Sequence, residues 1–306
     1  MLPLVFRKPW LTAVALACLL VVGRPVAAQE ATGNIGGRVL DATKAPIPGA
    51  AVTATRAETG EVRKTITDES GAFAFPALQI GNYQLSVTHT GFKNAVKGGM
   101  LLHIGDHLEI DIALELGAVS QQVNVVADAA PVQIDTSEQG GLISGEQVRD
   151  LQLNGRSFMS LVELLPGVVS DMPDRVDPNT SQALYINGAR SSASSFNIDG
   201  GNNQDVIVGS GSMNTFTGID TIAEFKVITS TFSAEYGRSG VSQINVVTRG
   251  GTRSLRGTLF EYLRNDKLDA TDYFTHTILP LKQNQFGYTL GGPVLLPKLD
   301  YNRDRK

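Results

Sequence analysis

Between Asn284 and Gly291 the side chains change character at every residue. Phe286, Tyr288 and Leu290 fall on one face, and Gln285, Gly287, Thr289 and Gly291 on the other. Successive side chains of a strand point to opposite faces, so this stretch predicts a strand with one bulky apolar face and one small polar face. An earlier run, Thr258–Arg264, has the same period, with Thr258, Phe260 and Tyr262 on one face. Two readings fit. One is a pair of membrane β-barrel strands, in which lipid-facing and lumen-facing residues alternate over about ten residues. The other is an ordinary soluble sheet with one buried face. Between the runs lies NDKLDATDYFTHTILPLKQ, a long polar segment suited to a barrel's outer side, and GGPVLLPK follows as a short turn. Ahead of them, the strand-like Val241–Thr248 ends at Gly250 and Gly251, which let the chain turn without a Cβ penalty.

The other end of the chain is an address. Arg7 and Lys8 precede an apolar run, Trp10–Val22, that is too short for a spanning helix of about 20 residues. Val26, Ala27 and Ala28 supply small residues, which predicts a secretory signal over residues 1–28 cut between Ala28 and Gln29. Cys18 is the only cysteine, so the mature chain has no disulfide and no thiol chemistry. Cleavage removes Arg7, Lys8 and Arg24 and takes the net charge from −4 to −7. An exported, mildly acidic chain without a clustered basic face is no nucleic-acid binder.

Residues 29–117 read as a β-sandwich. Strands are predicted at Ile35–Leu40, Ala51–Arg56, Arg63–Thr67, Ala72–Phe75, Tyr83–Thr88 and Leu108–Leu114, divided by the turn signals APIPGA, ETGE, DESG and QIGN. Residues 118–136 form a connector. Its VNVVADAAPVQID is either the sandwich's last strand running into a linker or a segment left extended for capture by another protein's sheet edge. Residues 137–251 change period. Ser144 and Gln147 make a capping box, and Phe158, Leu161, Val162 and Leu165 mark an amphipathic helix stopped by Pro166 and Gly167. Strands at Ala183–Ile186, Ser195–Asp199, Glu224–Thr229 and Val241–Thr248, with a helical turn at Asp220–Ala223, complete an α+β unit with long polar loops. Loops of that length usually carry function. Residues 252–306 hold the two alternating runs. The fold class is therefore mainly β with an α+β portion.

Several stretches carry a resemblance. GGRVLDATKAPIPGAAVTAT and TDESGAFAFPALQIGNYQLSVTHTGF resemble the carboxypeptidase regulatory-like domain, which implies a transthyretin-like sandwich that is an accessory module rather than a peptidase. LNGRSFMSLVELLPGV, YINGARSSASSFNIDG and IAEFKVITSTFSAEYGRSGVSQINVVTRGGT resemble the plug of TonB-dependent outer-membrane receptors, in the sub-type whose N-terminus carries that sandwich. LRGTLFEYLRND and NQFGYTLGGPV resemble the family's first two barrel strands.

The resemblance implies an outer-membrane transporter for a large solute, oligosaccharide or peptide, with a plug gating the barrel and the N-terminal domain facing the periplasm. A TonB-type energy-transducing protein of the inner membrane would pull a TonB box. The best-matching segment is Val123, Asn124, Val125, Val126 and Ala127, which lacks the commoner threonine. Arg190 and Arg249 match arginines that such plugs carry toward the barrel wall, where they need carboxylate partners; the competing reading is two solvated surface arginines. Barrels of this kind have about 22 strands, and open edges cannot stand in lipid. The expectation is therefore the N-terminal part of a receptor, with a truncated barrel.

Catalytic patterns are missing. There is no G-x-S-x-G and no phosphate-cradling glycine loop. His103 and His107 have Gly105 between them on a strand-like run, which does not suit zinc, and DGGNNQD (Asp199 to Asp205) lacks calcium-loop spacing. No cofactor, no metal and no enzyme are expected. The competing function is a soluble exported sandwich that binds carbohydrate or another envelope protein.

Overall fold

The computed structural model describes residues 31–117, 138–151, 153, 157–170, 184–204, 218–232, 240–271, 273–278 and 280–294, together with the backbone of 122–126. The predicted signal, with Ala28 and Gln29, and Ala127 lie outside the described residues.

The first unit contains β1 (Thr32–Asp41), β2 (Ala51–Arg56), β3 (Val62–Ile66), β4 (Ala72–Gln79), β5 (Gly81–Thr88), β6 (Asn94–Leu102), β7 (His107–Glu109), β8 (Ile112–Leu114) and β9 (Gln122–Val126). One sheet centres on β1, antiparallel to β4 and parallel to β7 and β8. The other has the order β3-β2-β5-β6-β9. Ile35, Val39, Val52, Leu85 and Val87 meet between the two sheets at 0% exposure. Two matching turns frame the sandwich. Asp41 accepts from Thr43 N, Thr43 Oγ1 and Ala45 N, and Asp68 accepts from Ser70 N, Ser70 Oγ and Ala72 N. These bonds, the hydroxyls of Thr43 and Ser70 first, hold both carboxyls below the usual carboxylate range.

Two differences from the predicted strands have clear causes. Leu108–Leu114 is not one strand but two. Its inward alternation survives, with Leu108, Ile110, Ile112 and Leu114 all buried. The break falls where the chain crosses Gly37, whose φ is +152° and whose missing Cβ leaves room for the carbonyl of Ile110. β6 escapes prediction because its phase slips: Ala95 points inward before the Gly98-Gly99 pair, and Met100 and Leu102 after it. The register against β5 shifts there, between Tyr83 and Leu85, and Gly99 takes φ +77°. A bulge of this kind erases strict alternation.

The second unit begins with β10 (Gln139–Ser144), α1 (Gly145–Asp150) and α2 (Met159–Val162). Both bonds of the Ser144–Gln147 capping box are present. The predicted second helix is a single turn, with Phe158, Leu161 and Val162 buried and Leu165 beyond its end. Then come β11 (Val168–Ser170), β12 (Leu184–Ile186), β13 (Ser194–Ile198), β14 (Gly201–Asn202), β15 (Ile222–Ser230) and β16 (Ser242–Thr248). The main sheet has the order β10-β15-β16-β13-β14. Its apolar face, carrying Phe196, Phe225, Val227, Ile244 and Val246, shares one core with Val148, Phe158, Leu161 and Val162. Phe158 meets Phe225 edge-on, ring centroids 5.5 Å apart. By register, the opposite face carries Glu224, Lys226, Gln243, Asn245 and Asn197, with Ile228 and Val247 among them, and is mainly polar.

A ten-pair antiparallel hairpin follows, from β17 (Arg256–Asn265) paired with β18 (Lys282–Gly291). Gly250 and Gly251 precede it with nothing within 4 Å of an added Cβ and no left-handed φ. The turn there does not demand glycine, contrary to the sequence expectation.

Two outcomes test this description. Gly37→Ala forces a Cβ into the Ile110 carbonyl and lowers the sandwich's thermal midpoint, whereas Gly250→Ala and Gly251→Ala leave it unchanged or raise stability by about 0.4–1 kcal/mol through reduced chain entropy. Tyr83, buried with its hydroxyl donating to the Gln79 carbonyl at 2.8 Å, has its pKa pushed up from 10.0 to about 12, burial being the first cause. The fold favours the neutral phenol, so its contribution is complete below about pH 10 and is lost as pH rises through about 12. Absorbance titration of the tyrosinate band, against Tyr83→Phe, checks it.

Candidate functional site

The connector residues Val123 to Val126 lie in β9. Its backbone runs parallel to β6, from Asn94 opposite Gln122 to Gly98 opposite Val126. The segment is thus the last strand of its own sandwich. It ends that sheet's order, so β6 pairs one of its edges and no described strand pairs the other.

Arg190 and Arg249 do not come together. Arg190 precedes β13, whose first residue, Ser194, pairs with Ser242 at the start of β16, whereas Arg249 follows the end of β16. At about 3.3 Å per residue, the length of β16 separates them by roughly 20 Å. Arg190 is exposed. Arg249 borders a cavity of about 660 Å³ whose wall also includes Arg56, Arg149, Arg256, Glu58 and Asp220. Partial burial, then the Arg149 charge, push its pKa down, with Arg256 adding to the shift and Asp220 opposing it. The guanidinium therefore sits among like charges with incomplete compensation.

The sheet's polar face holds a contact that no sequence pattern announced. His103 Nδ1 lies 2.7 Å from Glu224 Oε2, and Ile104 N donates to Glu224 Oε1 at 2.6 Å. Asp106 Oδ2 accepts from His103 N at 2.9 Å. His103 and His107 go separate ways, since His107 Nδ1 faces Asn34 Nδ2 at 3.3 Å. Beside Glu224, Lys226 pairs with Glu138 at 2.9 Å. Further along the same face Asn197 donates to Gln243 and Asn245. Asp199 of the DGGNNQD stretch accepts from Thr248 N and Thr248 Oγ1 and fastens β13 to the end of β16. Among the described residues, no three His, Cys, Asp or Glu side chains gather as a metal site.

The hairpin presents an apolar face with nothing over it among the described residues. Directly paired residues share a face, so Leu259 and Leu263 join Phe286, Tyr288 and Leu290, each 67–89% exposed, and the same face carries Glu261 and Asn284, whose Nδ2 donates to Glu261 Oε1 at 3.4 Å. Phe260 and Tyr262 lie on the other face, with Phe260 across Gly287. Periodicity groups residues within a strand, but only register decides which faces coincide.

Residues 34–115 match the carboxypeptidase regulatory-like domain family, and residues 247–305 match an outer membrane beta barrel domain family. Over 305 residues the chain is 27% identical to the TonB-dependent transporter Oar of Myxococcus xanthus, an alignment covering 94% of this chain and 28% of that relative. The chain thus spans little more than a quarter of the relative's length. Among solved structures, the 5-hydroxyisourate hydrolase of Klebsiella pneumoniae is 22% identical over 28% of this chain and 92% of its own, with a TM-score of 0.23. The TIE protein of Bacillus anthracis is 19% identical over 28% of this chain and 17% of its own, with a TM-score of 0.24. Likenesses this slight carry no functional weight. A regulatory-like sandwich, an outer membrane beta barrel match beginning where β16 ends, and an alignment along nearly the whole chain make the sequence similar to the N-terminal part of an Oar-like TonB-dependent transporter and support a place in the outer membrane.

Proposed function

We propose that the chain supplies the periplasm-facing sandwich (29–117), the plug (137–251) and the opening wall strands (252–306) of a transporter for a large solute, an oligosaccharide or a peptide, with the plug gating the barrel. The observation that carries this reading is the hairpin's uncovered apolar face. Fully burying one large apolar side chain is worth about 1.5–3 kcal/mol. Five of them turned outward across ten residue pairs, with Glu261 and Asn284 bonded to each other between them, suit a wall facing lipid better than a soluble sheet. The compact unit joined to that wall by Gly250 and Gly251, with a buried apolar core and a polar second face, suits a stopper. Arg249, poorly compensated at the junction, is suited to a carboxylate from a wall strand; Arg190, at the far end of the sheet, would meet a different part of the wall.

A TonB-type inner-membrane protein is the proposed partner, acting on Val123 to Ala127. The edge of β9 that no described strand pairs suits an added strand. The reading is of transport rather than catalysis.

Two experiments test it. Leu259→Arg and Tyr288→Arg each cost about 2–4 kcal/mol of insertion near mid-membrane, so the outer-membrane-assembled fraction falls, whereas Thr289→Arg, on the opposite face, spares it. Equal recovery of all three would defeat the lipid-facing assignment. Proline at Asn124 and, separately, at Val125 tests the connector. Alternate residues of a strand direct their N–H to one neighbour, so one of the two removes a bond to β6. That variant speeds hydrogen exchange in residues 94–98 and alters solute uptake; unchanged uptake would remove the coupling role from this segment.

A further inference from the structure

Glu224 lies beside a bulge in the β15–β16 pairing, between Ile222 and Glu224, and bulges re-aim side chains. Its side chain is 8% exposed, and both carboxylate oxygens are engaged by one turn of the sandwich. A buried carboxylate is costly unless it is paired and hydrogen-bonded, so this one is suited to the turn that covers it. Ile104, in that turn, is 2% exposed yet belongs to neither hydrophobic core; it is buried where the two units meet. A second contact lies nearby. Arg253 N donates to the Glu58 carbonyl at 3.3 Å, and the Arg253 guanidinium packs against Gly60. The sandwich therefore touches the α+β unit and the segment leading to the hairpin.

We propose that the sandwich is a docked latch. The His103–Ile104 turn clasps Glu224 while the Glu58–Gly60 turn engages Arg253, so β15 and the lead-in to the hairpin move only after the sandwich lets go. The docking stands on these contacts alone; its service as a brake on opening rests on the plug reading above.

The latch responds to pH. His103 is faced by Glu224 from β15, by Asp106 from its own turn, and across a cavity of about 470 Å³ by Lys226 and Glu138; the β10 residues lining that cavity, Gly140, Gly141 and Leu142, carry no charge. The bond to Glu224 holds the His103 pKa above its ordinary 6.5, with burial opposing and the Glu224 and Asp106 charges assisting. A value raised by docking means that the charged pair contributes fully below about pH 6.5 and that its contribution is lost as pH rises through the docked value. Docking loosens as the medium turns alkaline.

Cys18 is the chain's only cysteine, so Cys18→Ser gives a background in which the test is direct. Spin labels at Lys64→Cys and Glu146→Cys, both exposed, report the distance between the units in the full chain in detergent. Glu224→Ala is expected to broaden that distance and to speed exchange of the Ile104 amide at least tenfold, while the β5 amides stay protected. Glu224→Gln still accepts from Ile104 N, so it keeps the narrow distance and loses the pH dependence. A narrow distance and a protected Ile104 amide in Glu224→Ala would overturn the latch. Should that variant also expose the β5 amides, His103→Ala decides by the same two readouts. Equal outer-membrane recovery of the Leu259→Arg, Tyr288→Arg and Thr289→Arg variants, with the distance still narrow, would reject the plug reading and spare the docking.

Discussion

An apolar surface must be covered by something, and in this molecule the constraint acts at the hairpin. The ten pairs of β17 and β18 lock Leu259, Leu263, Phe286, Tyr288 and Leu290 onto one side. Because a strand's side chains alternate with a period of two, no small adjustment can hide them: a slip of one residue would trade one strand's entire face for the other. The rest of the chain is arranged around that fact. The α+β unit packs one apolar core of its own and the sandwich another. Among the described residues neither core reaches the hairpin, and the proposed cover is lipid.

Polar burial follows a different logic in the middle unit. β16 is buried from Ser242 through Val247, although Ser242, Gln243 and Asn245 are polar. The Ser242 hydroxyl bonds the Ser194 hydroxyl at 2.8 Å, and Asn197 bridges Gln243 and Asn245. Such networks are tolerated because most of their polar atoms are bonded, the buried Asn245 Nδ2 being an exception, and satisfied polar pairs help to fix a strand's neighbours. Glu224 extends this face toward the sandwich. The two units are thus joined by a bonded polar contact around the buried Ile104 instead of a shared apolar core.

Much of the architecture was legible in the residues, and the failures are instructive. The hairpin could be read because alternation is a local property and neither strand is interrupted. Ser144 and Gln147 announced their cap because both partners lie within one helical turn. β6 was hidden because Gly98-Gly99 shifts its phase, and the break between β7 and β8 because its cause, Gly37, lies far back along the chain. His103 could not be paired with Glu224 from sequence, since 121 residues separate them and the stretch that holds Glu224 says nothing of its partner. The two halves of the apolar face could not be matched before the register was known. Long-range partners and cross-strand registers are set by tertiary structure, where local patterns are silent.

The parallel course of β9 beside β6 has a mechanical corollary. The chain leaves β9 at Val126 and continues toward β10, so tension along the connector pulls β9 lengthwise, in the direction both strands run. The backbone bonds between them then share the load in shear, instead of opening one after another as in a peeled hairpin. A lengthwise tug would meet collective resistance and drag the sandwich along, whereas a sideways one would unzip the strand.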